Sequence, residues 1–224
     1  MNVVLLTIAP IAFIIIYIYV KDKYEKEPKK LLVKTFLGGA IISVIATILI
    51  STIANKIFPV SDSYNLFQQF IKAFIVVALV EEFSKYIVVR FYAQKKTAFN
   101  EPFDGIVYAV MVSMGFAFTE NILYVMDGGF YTALARAFTA VPAHATFGII
   151  MGYYMGIAKF SRHRIKYNLL GLLYASLFHG AYDFFLFINF IPGIWIGAVL
   201  SLIIGIVLSK KAIKKHQSHS QFKY

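Results

Sequence analysis

Apolar residues run through this chain in long blocks, separated by short polar or charged stretches. The pattern predicts seven helical segments, near 3–20, 35–57, 66–91, 105–126, 131–158, 169–190 and 194–209. Each is close to the ~20 residues that a helix needs to cross a ~30 Å hydrocarbon core. The breaks carry charge or helix-stopping residues: Lys21-Asp22-Lys23, Pro59 followed by Ser61-Asp62-Ser63, Pro102, Asp127-Gly128-Gly129 and Pro192-Gly193. The expected fold is all-α, a polytopic helical membrane protein. It forms one unit over 1–224, with no room for a second, soluble domain.

The basic residues orient these segments. With the N-terminus outside and about seven crossings, the inside loops hold 18 of the 22 basic residues, among them Lys21 to Lys34, Arg90 to Lys96, Lys159 to Lys166 and the tail from Lys210. The positive-inside rule therefore selects N-out, C-in. The net charge of +11 follows from this placement, so no nucleic-acid partner is expected. The juxtamembrane bases are expected to face anionic lipid headgroups of the bilayer. The first segment has no basic region before it and no small-residue cleavage site after it, so it reads as a span rather than a removable signal.

Composition agrees: 59% of residues are hydrophobic and only 15% charged, against about 25% charged in a soluble domain. Cysteine is absent, which excludes disulfides, thiolate metal sites and a cysteine nucleophile.

Against that background the stretch Glu81-Glu82-Phe83-Ser84-Lys85 stands out. A charge at mid-bilayer costs at least ~2.5–3.5 kcal/mol, so three within five residues need a reason. Other ionisable groups inside the segments are Glu120, Arg136, His144, His179 and Asp183, all on the fourth to sixth. Their concentration on four consecutive segments predicts one shared polar cavity. Phe116 and Glu120 share a helix face at i, i+4 spacing, as do His179 and Asp183. Asp183 can either address the substrate beside His179 or orient its ring. Pro142 is expected to kink the fifth segment beside His144. Glu81 and Glu82 point ~100° apart, so one is expected to face the cavity and the other to pair with Lys85. By these boundaries Glu82 and Glu120 differ by ~10 Å in depth at 1.5 Å per residue, a gap that helix tilt must close. Arg136 reads as a pairing or snorkelling residue, and His144 taken alone is as readily structural as functional.

Glutamates and histidines in a wet pocket suit hydrolysis by activated water, with a glutamate as general base and a histidine protonating the leaving amine. The same residues also suit zinc with an open water position, although no His-Glu-x-x-His helix is present. A proton or ion pathway is a third reading, disfavoured by the lack of an internal repeat.

At these residues the chain resembles the PrsW family of intramembrane proteases, within the CAAX-protease and bacteriocin-processing superfamily. The matching pieces are Tyr24-x-x-Glu27-Pro28, Glu81-Glu82-x-x-Lys85, Glu101-Pro102-x-Asp104-Gly105, Gly115-Phe116-Ala117-Phe118-Thr119-Glu120-Asn121, Pro142-x-His144 and His179-x-x-x-Asp183, in order over nearly the whole chain. The resemblance implies a peptidase of the bacterial cytoplasmic membrane, acting on a membrane-anchored protein such as an anti-sigma factor. It implies Glu81 as the water-activating base, with Glu82, Glu120, His144, His179 and Asp183 completing the site and Lys85 and Phe116 supporting it. If a metal is present, zinc is the candidate ion, with Glu81, Glu120, His144 and His179 as its ligands. Glu120 and Asp183 stand where prenyl endopeptidases of the superfamily carry His and Asn, and an ionised Asp183 cannot donate to an oxyanion. A non-catalytic membrane scaffold of the same fold is the alternative that the superfamily also offers.

Overall fold

In hydrocarbon a backbone must satisfy its own polar groups, and the apolar blocks do so as helices. The computed structural model describes residues 3–223, and among them every regular element is helical. Helix α1 spans Val3–Lys21, α2 Lys29–Leu37, α3 Val44–Ile57, α4 Leu66–Ile71, α5 Val80–Phe91, α6 Pro102–Phe138, α7 Ala140–Phe160, α8 Arg164–Phe187 and α9 Ile196–Ser218. Wider π-helical stretches, Gly38–Ser43 and Lys72–Leu79, join α2 to α3 and α4 to α5 without a break.

Five stretches are long and apolar enough to cross a membrane: Val3–Lys21, Lys29–Ile57, Pro102–Phe160, Arg164–Phe187 and Ile196–Ser218. The chain is a multi-pass membrane protein. Residues 66–91 are helical as expected but stand outside this set, since they carry Lys72, Glu81, Glu82, Lys85 and Arg90. Pro102–Phe160 is not one rod. Gly129 adopts φ 62°, ψ −148°, where the Asp127-Gly128-Gly129 stop was expected, and Thr139 breaks the path again at φ −121°, ψ −75°. The block expected at 131–158 is therefore divided at Thr139. Pro142 falls in the first turn of α7 instead of kinking a span, at a position where a missing N–H breaks no helical bond.

The centre of the bundle is the crossing of α6 and α7. Side chains from Phe103 to Ala117 are buried in an unbroken run. The two backbones approach closely because Gly105 faces Gly152 and Gly156; a Cβ on Gly156 would lie 2.0 Å from the Pro102 carbonyl oxygen. The other helices are packed around this pair, and α3 has no buried residue at all.

The basic loops meet at one end. Lys159 Nζ donates to the Gln94 carbonyl at 2.6 Å, and Arg90 reaches the Gln94 side chain at 2.7 Å. Within this basic end lies an acidic knot. Asp22, Glu27, Glu101 and Asp104 are buried. The N–H groups of Asn100 and Glu101 donate to Asp104 Oδ2 at 2.7 and 2.8 Å, closing a capping box that starts α6. Tyr108 donates to Glu27, and Ser220 donates to Glu101. The knot thus ties the first loop, the start of α6 and the end of the chain together. Burial, followed by the neighbouring Asp104 charge, pushes the Glu27 carboxyl from its ordinary 4.5 up to about 10, and burial pushes Asp22 up to about 6.

A raised carboxyl pKa means that the folded state holds a proton which the unfolded chain releases. Stability from Glu27 is therefore full below about pH 4.5 and declines as pH rises from 4.5 towards 10. Thermal unfolding in detergent between pH 5 and 9 should show this decline, and Glu27→Gln should flatten it. An unchanged pH slope in the variant would remove Glu27 as the source.

Candidate active site

The π-helical stretch Lys72–Leu79 feeds directly into the turn that carries Glu81 and Glu82. Wide turns of this kind often mark functional sites. Across from it, the Ser113 hydroxyl of α6 donates to the His144 carbonyl at 2.6 Å and fixes the start of α7. Glu120 follows one turn after Phe116 on α6, and α8 brings His179 and Asp183.

These residues form one network around Lys85, whose ammonium is almost fully buried. Lys85 Nζ lies 2.7 Å from Glu82, 3.5 Å from Glu81, 3.2 Å from His144 Nδ1 and 4.3 Å from the centre of the Phe116 ring. Since Lys85 can only donate, His144 Nδ1 accepts and its Nε2–H donates to Glu120 at 2.7 Å. Arg136 donates to the same Glu120 oxygen at 2.7 Å and to Asn121 at 2.6 Å. His179 lies between carboxylates, with Nδ1 2.9 Å from Glu82 and Nε2 3.3 Å from Asp183. The Phe147 ring stacks on His179 at 4.7 Å.

A cavity of about 580 Å³ opens onto this network. Glu81, Glu120, His144, His179, Asp183 and Arg136 line it, together with Tyr124, Thr139 and Tyr182. The structure therefore brings all six expected site residues together, on α5 to α8. The carboxylate pair divides as its geometry requires. Glu81 faces the cavity and has a buried oxygen, Oε2, with no hydrogen-bond partner among the described residues. Glu82 is fully buried between Lys85 and His179 and does not line the cavity. The depth gap between Glu82 and Glu120 is closed: both lie within one side chain of Lys85 or His144. Arg136 is a pairing residue, and it also lines the cavity. Ser113 and Phe147 were hardly legible beforehand. A lone hydroxyl in an apolar run was the only signal for the first, and an aromatic in a helix carries none.

Glu81, Glu120 and His144 each offer a ligand atom, and these atoms lie within 4.8 Å of one another. Two carboxylates and an imidazole fit the donor set of a divalent ion with an open position, and Glu81 Oε2, 3.5 Å from Lys85, accepts no hydrogen bond among the described residues. His179 is not part of this triad; its nitrogens are turned to Glu82 and Asp183.

Residues 27–209 match the model of the PrsW family intramembrane metalloproteases. The chain is 42% identical over 180 residues to the Protease PrsW of Oceanobacillus iheyensis, covering 80% of each chain. It is 39% identical over 180 residues to that of Geobacillus kaustophilus, covering 80% of this chain and 77% of the relative. Against the Protease PrsW of Clostridioides difficile it is 34% identical over 232 residues, covering 99% and 94%. No solved structure matches. These matches favour a peptidase over a non-catalytic scaffold. A family match over most of the chain, on a bundle whose buried charges meet in one cavity, means that this protein belongs to the PrsW family of intramembrane proteases.

Proposed function

We propose that the chain crosses the bacterial membrane seven times with its basic end in the cytoplasm, and hydrolyses a peptide bond of a membrane-anchored protein with water activated by Glu81. The observation that supports this is the division of the carboxylate pair: Glu81 lines the cavity, its Oε2 3.5 Å from Lys85 and without a hydrogen bond among the described residues, and Glu82 is shut away from the cavity between Lys85 and His179. In this reading Glu81 takes a proton from water as the water oxygen bonds to the scissile carbonyl carbon. The carbonyl oxygen becomes an oxyanion. Arg136 uses two N–H groups on Asn121 and Glu120, and those that remain can stabilise that charge. The C–N bond then breaks as the amine takes a proton from His179, held by Asp183. Glu81 Oε2 lies 3.9 Å from His179 Nε2, so the proton gained by Glu81 has a short path back.

A second reading rests on the closeness of Glu81, Glu120 and His144. These three would hold a divalent ion such as zinc, which when bound polarises a carbonyl and lowers the pKa of water. A membrane-spanning anti-sigma factor, cut on its extracytoplasmic side, is the substrate suggested by the family resemblance.

Glu81→Gln should lower cleavage of such a membrane protein by at least about 10²-fold, the usual contribution of a general base, while the protein still folds. A wild-type rate would remove Glu81 from the role. Dialysis of the purified protein against a chelator distinguishes the two readings. Full activity after dialysis supports Glu81 acting alone, and a loss reversed by zinc supports the triad. Glu82→Ala leaves Lys85 without its nearest counter-charge and should destabilise the fold by about 3–5 kcal/mol. Glu82→Ala combined with Lys85→Met should recover much of that loss in detergent unfolding.

A further inference from the structure

The continuous helix from Lys29 to Ile57 has two unlike halves. Its first half is clamped to the bundle. A Cβ on Gly39 would lie 1.9 Å from the Val112 carbonyl oxygen, and the Ser43 hydroxyl donates to the Ser84 carbonyl at 3.1 Å. In its second half, α3, no residue is fully buried. One side of α3 is apolar and exposed, with Ile48 and Ile53 at 55% and 60%. The other contributes Thr47, Ser51 and Asn55 to the cavity, and no apolar residue. These three recur at i, i+4 and i+8, so they form one stripe.

The Ser43–Ser84 bond sets the register of the stripe. The α3 helix runs away from the basic end and the helix from Lys72 to Phe91 runs back towards it, so by residue count Thr47 comes level with Val80, beside Glu81, Ser51 with Val76 and Asn55 with Lys72. The stripe thus runs ~12 Å along the cavity wall, from beside Glu81 to the level of Lys72, at 1.5 Å per residue. It is rich in free acceptors. Thr47 Oγ1 is buried with no partner among the described residues. The Ser51 hydroxyl and the Asn55 amide donate only within α3, to Ile48 and Ser51.

A helical substrate hides its carbonyls in its own hydrogen bonds, so a peptidase must receive it unwound. Each N–H and C=O freed inside the bilayer then needs a partner, which only the cavity and its polar wall provide. We infer that Thr47, Ser51 and Asn55 are a substrate-binding subsite that accepts main-chain N–H groups of an unwound segment, three or four residues long at ~3.3 Å each, lying between the scissile bond and the membrane boundary opposite the basic end. The inference rests on the peptidase activity and not on the role of Glu81.

The chain has no cysteine, so single-cysteine variants report without background. Thr47→Cys, Ser51→Cys and Asn55→Cys, with Ile48→Cys and Ile53→Cys as controls, are treated with a membrane-impermeant methanethiosulfonate from the side opposite the basic end. The three stripe positions should react at least ~10-fold faster than the controls, with Asn55→Cys fastest and Thr47→Cys slowest, as expected for a solvated path against a lipid-facing one. Cleavage is followed on the membrane protein whose full-length form accumulates in cells lacking this chain. Before labelling, the stripe variants should already raise KM, since a thiol accepts more weakly than a hydroxyl or an amide oxygen, while the controls cleave at near wild-type rates; after labelling, the stripe variants should lose at least a further ~10-fold, through KM more than kcat, and the controls should not. Equal labelling of both faces, or full labelling of the stripe with cleavage unchanged, overturns the inference. Activity retained in Glu81→Gln would sink the proposed base and leave this result untouched.

Discussion

A buried ammonium ion is the constraint on which the middle of this bundle depends. Moving an ion out of water costs several kcal/mol even after the protein relaxes, and Lys85 has almost no contact with solvent. It is stabilised by two glutamates of its own helix, an imidazole from α7 and an aromatic face from α6. Glu82 extends the connection to α8 through His179. One cation therefore fixes the mutual placement of the four helices that make the cavity. The ionisable groups of the cavity are positioned by electrostatics, while the α6–α7 crossing supplies the packing.

The basic end meets a similar difficulty in another way. Asp22, Glu27, Glu101 and Asp104 are also buried, yet no ion pair to any of them occurs among the described residues. Main-chain N–H groups, hydroxyls and retained protons take the place of counter-ions there. Such a knot fastens a loop firmly but offers no free, charged carboxylate to a substrate. The two clusters are alike in composition and opposite in chemistry.

The apolar blocks and the breaks between them were legible in the sequence, because hydrocarbon allows few alternatives to a helix. Ends were less legible. The α2 helix starts at Lys29 and α9 runs to Ser218, since charged side chains extend a helix beyond the membrane without penalty. The break at Thr139 carries no signal in the sequence, and the bend expected at Pro142 lies three residues earlier. In the site, the i, i+4 pairs and the ~100° separation of Glu81 and Glu82 followed from helix geometry. Which of the two faces inward did not follow, because it depends on how the helix is rotated. That rotation is set by long-range contacts such as Ser43 with Ser84.

The π-helical stretch just before the carboxylates has a consequence for how this helix tolerates change in length. Each π turn bonds i to i+5 and so holds one residue more than an α turn. Losing a single residue between Lys72 and Leu79 would let a π turn tighten to the ordinary form, and the loss would be absorbed there. Glu81, Glu82 and Lys85 would keep their places against α7 and α8. The same loss at Val80 falls in ordinary α-helix, where no wide turn takes it up, and would swing every later side chain by ~100°, carrying Lys85 out of its network.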